Sequence, residues 1–153
     1  MKIREAFSSD AEAMSDVLEE LVAAGKRRNK SDADHALGHY ISHPHRLHCL
    51  LAFDDEGRLL GFQSLKIADE TNPYGTNVGW GIIGTHVRPS AARTGVGSAL
   101  FAATLAGARE ARLPAIEAYI GETNSAALAY YDALGFTTYR RPSGIVCKVF
   151  RLV

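Results

Sequence analysis

The chain is short of the features that announce several protein classes. It has only two cysteines, Cys49 and Cys147, in separate apolar stretches and with no CxxC pair. That argues against a disulfide scaffold and reads as two buried thiols in a reducing cell. No sign of charge dominates, since 17 basic residues face 17 acidic ones. Polyanion-binding domains carry a basic excess, so nucleic acid is not expected as the main partner. The longest nearly apolar run, Ala99–Ala108, is too short to cross a bilayer. The opening MKIREAF lacks the apolar centre of a secretory signal. No membrane partner and a cytoplasmic location are therefore expected. Five of the six histidines lie between His35 and His48, but no HExxH pattern or cysteine pair accompanies them. No metal is expected.

What is present suits one α/β domain over residues 1–153. With 153 residues, 46% of them hydrophobic, the chain can bury roughly 70% of its unfolded surface. Lys2–Phe7 reads as a strand. Ser9 and Glu12 form a candidate capping box before a helix whose Met14, Val17, Leu18, Leu21 and Val22 recur at helical spacing, with Gly25 as its stop. A weaker helix covers about 32–42. His48–Phe53 and Leu59–Ile67 read as a hairpin. Ala68–Asn77 reads as a loop, Val78–Val87 as a central strand and Gly95–Ala111 as a helix. Ala99, Ala103 and Ala106 keep one side of that helix small for close approach to a sheet. Ala115–Ile120 is a strand, Thr123–Leu134 a helix, and Phe136–Tyr139 and Ile145–Leu152 are closing strands. The order β-α-α-β-β-β-α-β-α-β-β predicts a mixed sheet.

The first chemical signal runs from Val87 through Arg88, Pro89, Arg93, Thr94, Gly95, Val96, Gly97 and Ser98. A strand leads into a loop that opens a helix. The first amides of a helix lack intrahelical partners and carry partial positive charge. Gly95 and Gly97 hold no side chain between those amides and an anion, Arg93 adds charge, and Thr94 and Ser98 add hydroxyls. The set suits a pyrophosphate. A Rossmann site fits poorly because Leu100 stands at the third glycine position. A Walker loop is excluded because no GK[ST] follows. Taken alone, a GxG at a helix start is as consistent with a helix that binds nothing.

The second signal is Asn124, Ala127, Tyr131, Gly135 and Phe136. By itself it describes an amphipathic helix with a glycine stop. Together the two segments resemble the signatures of the GCN5-related N-acetyltransferase (GNAT) family: V-x-P-x-x-[Q/R]-x-x-G-x-[G/A], then N-x-x-A-x-x-x-Y-x-x-x-G-F. The Gln/Arg position is Ala92 here, with Arg93 beside it.

That resemblance implies a sheet splayed between the strands at about 78–87 and 115–120, flanked by four helices, with acetyl-CoA as co-substrate. It implies that the Val87 amide faces the thioester oxygen, that amides of Arg93–Ser98 hold the pyrophosphate and that Asn124 meets the pantetheine arm or helps order the site. It also implies that Tyr131 donates a proton to the departing thiolate. Many relatives carry a carboxylate in the strand ending at Val87, and this chain has none there. His86, by its titration range, and Glu122, just past the next strand, are the candidate bases. Tyr74, Trp80 and the 68–77 loop are expected to line the acceptor pocket.

The expected activity is acetyl transfer from acetyl-CoA to a primary amine of a small molecule or peptide, by direct attack. A non-catalytic acyl-CoA sensor and a transferase for longer acyl chains are the alternatives. A homodimer is allowed but not indicated.

Overall fold

A computed structural model describes all 153 residues. Its elements in chain order are β1 (Lys2–Glu5), α1 (Ala11–Ala23), α2 (Ala33–Ala36, extended by a wide turn over Leu37–Ile41), β2 (Arg46–Phe53), β3 (Leu59–Ile67), β4 (Gly81–Val87), α3 (Val96–Glu110), β5 (Ala115–Gly121), α4 (Ser125–Leu134), β6 (Thr137–Arg140) and β7 (Ile145–Arg151). The strands form one sheet in the order β1-β2-β3-β4-β5-β7-β6. Only β4 and β5 run parallel. The mixed α/β domain with four helices agrees with the sequence-based expectation.

Alternation along the strands divides the core between two faces. On one, Phe62 of β3 and Cys49 and Leu51 of β2 pack under Met14, Val17 and Leu18 of α1 and Ala36 and Tyr40 of the α2 segment. On the other, Leu65 of β3, Ile83 of β4 and Ile116 of β5 pack under Phe101 and Ala108 of α3 and Tyr131 of α4. Each such large side chain, fully buried, contributes about 1.5–3 kcal/mol.

Local chemistry departs from the sequence reading in four places. The Ser9–Glu12 box does not form. Asp10 instead accepts from the Phe7 amide at 2.7 Å and pairs with Arg4 at 2.8 Å. β4 begins at Gly81 rather than Val78, which is exposed in a turn just before Gly79, a residue with φ +89°. Ala106 of α3 faces solvent, and the buried face is Val96, Leu100, Phe101, Thr104 and Ala108. The close approach to the sheet is made by Gly107, where an added Cβ would lie 2.2 Å from His48 Nε2. Trp80, expected at the acceptor pocket, packs on Tyr139 and Arg151.

Candidate functional site

The parallel pair β4–β5 is joined only at Gly81↔Ile116, Ile82↔Glu117 and Ile83↔Ala118. Beyond Ile83 the two strands part. β4 stays paired with β3 through Val87↔Gly61, and β5 stays paired with β7 through Gly121↔Ile145. The Arg88 amide donates to the Leu60 carbonyl. In an antiparallel ladder the bonded pairs alternate, so the peptide groups of Thr85 and Val87 turn the other way, toward the opening. The result is a seam in the sheet, edged by unpaired backbone.

The seam leads to the loop before α3. Glu20 of α1 anchors the start of that loop. It accepts from the Arg88 guanidinium at 3.0 Å and from the Ser90 amide at 3.1 Å. Arg88 also donates to the Leu59 carbonyl. Its side chain and amide are both engaged by the fold. Pro89–Ala91 form one tight turn, and the Thr94 hydroxyl donates to the Ala91 carbonyl. Arg93 at φ +61° and Gly95 at φ +87° then turn the chain into α3. From Arg93 to Ser98, none of the six peptide N–H groups has an acceptor within the chain. An unpaired row of this kind at a helix start is an anion receptor.

The two glycines serve different ends. Gly95 needs its positive φ, and nothing lies within 4 Å of where its Cβ would be. At Gly97 an added Cβ would meet Tyr130 Cε1 at 2.6 Å. The bare backbone there admits an aromatic ring of α4, not only a ligand. The Tyr130 hydroxyl donates to the Gly97 carbonyl at 2.7 Å, tying α4 to the cradle.

Behind the seam lies a polar chain that the sequence reading missed. Gln63 of β3 is fully buried. Its Nε2 donates to Tyr130 at 3.0 Å and to Thr85 Oγ1 at 2.9 Å, and Thr85 Oγ1 lies 2.8 Å from the Tyr131 hydroxyl. Gly97 offers only a carbonyl, so Tyr130 donates its one proton there and must accept from Gln63. That fixes the amide orientation and leaves the Thr85 hydroxyl able to donate to Tyr131 or accept from it. Gln63 Oε1 has no partner. Tyr131 is buried against Phe136, and burial holds its pKa well above the usual phenol value. The available signal was Gln63 itself, a polar side chain in the middle of an apolar strand.

Asn124 caps α4 by accepting from the Ala127 amide at 3.1 Å, and Gly135 at φ +101° closes that helix as expected. Glu122 is exposed past the end of β5, its side chain unbonded. His86 lies on the opposite face from Tyr131, beside the rings of Phe62 (4.8 Å) and Tyr40 (5.2 Å). His86 is half-buried, and desolvation lowers its pKa to about 3. The structure places His86 apart from the Thr85–Tyr131 face of β4.

On the His86 face, residues of α2, β3, β4 and the 68–77 loop enclose a pocket of about 360 Å³. Tyr74 lines it. One wall is braced by Glu117 of β5, whose carboxylate is wholly buried. It accepts from Thr76 at 2.8 Å, Arg140 at 2.7 Å and Tyr139. Arg140 also donates to the Tyr74 carbonyl at 2.8 Å. Burial and the Glu117 carboxylate push Tyr139 up to about 12. A shallower depression of about 530 Å³ beside Met1, Phe53 and Asp55 lies at the β1–β2 edge, away from the seam.

Comparison with known proteins follows the same lines. Residues 12–136 match the sequence profile described as the acetyltransferase (GNAT) family. Over 91 residues the chain is 41% identical to a mycothiol acetyltransferase of Salinispora tropica, covering 59% of this chain and 29% of that protein. A Thermomonospora curvata protein of the same name is 37% identical over 90 residues, 59% of this chain and 28% of its own length. The chain thus spans less than a third of these relatives. A GCN5-related N-acetyltransferase from Kribbella flavida superposes with TM-score 0.80 at 22% identity, over 99% of this chain and 97% of its own. A Thermoplasma acidophilum N-acetyltransferase solved in complex with coenzyme A gives 0.76 at 18% identity, covering 98% of each chain.

Proposed function

The chain belongs to the acetyltransferase (GNAT) family, and from that premise we propose that it transfers an acetyl group from acetyl-CoA to a primary amine of a small molecule or peptide by direct attack. One observation carries the reading: the β4–β5 seam opens onto six consecutive unpaired amides at the start of α3. The receptor suits a diphosphate. The seam suits an extended amide-bearing arm, which can bond to free strand edges as an added strand does.

Attack of the amine nitrogen on the thioester carbon forms the C–N bond and places negative charge on the carbonyl oxygen. The Val87 amide faces the seam, where a fixed N–H stabilises such charge. Collapse breaks the C–S bond, the ammonium nitrogen of the intermediate gives its proton to water, and the thiolate takes a proton from Tyr131. Burial keeps that phenol protonated at neutral pH. Thr85, already accepting from Gln63, donates to the Tyr131 oxygen, which frees the phenolic proton for sulfur and steadies the phenolate left behind. Solvent then restores the proton.

His86 is a poor base for an ammonium ion, with its pKa lowered to about 3. Glu122 is solvated beyond the seam. The amine therefore sheds its proton to water before attack. Asn124, which caps α4 through its carbonyl, has its amide NH₂ left for the pantetheine arm.

Calorimetry with acetyl-CoA, followed by thiol-release assays over an amine panel, tests the proposal. Saturable binding and amine-dependent release of coenzyme A are expected. Folded protein that takes up no acetyl-CoA would overturn it.

A further inference from the structure

The chain buries two lysines, and they are treated differently. Lys148 of β7 is paired with Asp132 at 2.6 Å and accompanied by Thr138 at 2.9 Å. Lys66 of β3 is 7% exposed and has no carboxylate partner. Its ammonium has one polar neighbour, His39 Nε2 at 3.3 Å, and stands 5.5 Å from the Tyr40 ring centre. An ammonium group held away from water without a counter-charge is unfavourable. Here it lines the 360 Å³ pocket, a volume within the range of small-ligand sites. The one carboxylate in that pocket's lining, Asp69, is already engaged by His45 at 3.0 Å and by Thr71.

Position adds a second argument. Lys66 pairs in register with Ile82, and Ile83 is the last residue of β4 still joined to β5. Lys66 therefore sits one strand over from the pair at which the seam begins. Tyr74 lines the same pocket and touches Tyr119 of β5, 5.1 Å between ring centres. The pocket and the inner end of the seam share a wall.

We propose that Lys66, flanked by His39, is the carboxylate-binding residue of the acceptor site, so that the acceptor is a small primary amine bearing one carboxylate: an amino acid or a near analogue. This rests on the acetyl-transfer reading and adds the substrate class to it. The charge count favours a monoanion. His39 is held neutral, its pKa lowered to about 4 by desolvation and by Lys66, so the pair carries one positive charge with no carboxylate in bonding distance. A phosphate dianion would ask for two.

The test compares amines in matched pairs. Thiol release from acetyl-CoA is measured with each of the standard L-amino acids and with its C-terminal amide. At least one acid is expected to exceed its amide tenfold or more in kcat/KM. Lys66→Met is expected to raise KM for that acid tenfold or more and leave the amide unchanged. Lys66→Arg should retain most of the preference, and a thermal melt confirms that each variant folds. Amides used as well as acids overturn the inference, as does a Lys66→Met variant that affects both equally. Acetyl-CoA bound but no member of the panel acetylated also sinks it, while the cradle reading stands. Failure to bind acetyl-CoA at all would instead remove the parent proposal.

Discussion

The two ends of the seam are built from different materials. At the outer end the receptor is backbone: six amides freed by the turns at Arg93 and Gly95. At the inner end the pocket is side chain: Lys66, His39 and Tyr74 from three separate elements, braced by Glu117 and Arg140. A backbone receptor depends on chain path, so it tolerates most side chains and constrains few positions. A side-chain pocket depends on several residues whose burial must be balanced by partners. The first is suited to an invariant ligand and the second to a variable one.

The sharpest way to separate the ends is to unbrace the inner one. Arg140→Ala leaves the wholly buried Glu117 carboxylate with only Thr76 and Tyr139. Removing one partner of a buried ion pair is expected to cost about 3–5 kcal/mol, here toward the lower figure because two donors remain. A denaturant titration should show the loss. Acetyl-CoA affinity of the folded variant should change little, because the cradle is untouched. An equal loss of cofactor affinity would break the distinction between the ends. Next in size is Tyr131→Phe. Removing a general acid is expected to lower kcat by about 100-fold or more, with acetyl-CoA affinity nearly unchanged. Coenzyme A release at an unaltered rate under saturating substrate removes Tyr131 from the mechanism.

The same contrast explains what could be read from the sequence. The cradle was legible because a turn into a helix needs particular residues at fixed spacing, as Pro89 and Gly95 show. The fold was legible because hydrophobic periodicity reports which face is buried, as in α1. The reason for Gly97 was not legible: its Cβ space is taken by Tyr130, which lies 33 residues further along the chain. Nor were Lys66 and Gln63 assigned roles. They belong to the strand Leu59–Ile67, and their significance appears only once β4, α2 and α4 are packed beside it. His86 misled by its titration range, since burial under aromatic rings alters the property that made it attractive.

Gly97 offers a smaller probe, aimed at the outer end. Gly97→Ala places a methyl carbon 2.6 Å from the Tyr130 ring, and relieving such a clash is expected to cost about 1–3 kcal/mol. The bond from Tyr130 to the Gly97 carbonyl should weaken with it. Calorimetry should therefore show poorer acetyl-CoA binding, while the acid-over-amide preference of any remaining turnover persists. Intact affinity would mean that the cradle does not need Tyr130 to hold its shape.

The last probe uses pH and addresses the inner face alone. His39 and His86 have folded pKa values of about 4 and about 3, both below the ordinary 6.5. The native state therefore binds fewer protons than the unfolded chain between those limits. The histidines cost nothing above about pH 6.5, where both states are neutral. Stability is lost as pH falls from there toward about 4, at up to about 1.4 kcal/mol per pH unit for each group. Melting curves between pH 6 and 4.5 should therefore fall steeply, and His86→Phe should flatten the slope by about one proton. The carboxylates of Glu5 and Asp10, whose pKa values are lowered by partners in the folded chain, take over only below that window. If the slope is unchanged in His86→Phe, the ring is hydrated in solution. The aromatic layer under α2 would then be looser than the packing of Tyr40 and Phe62 requires.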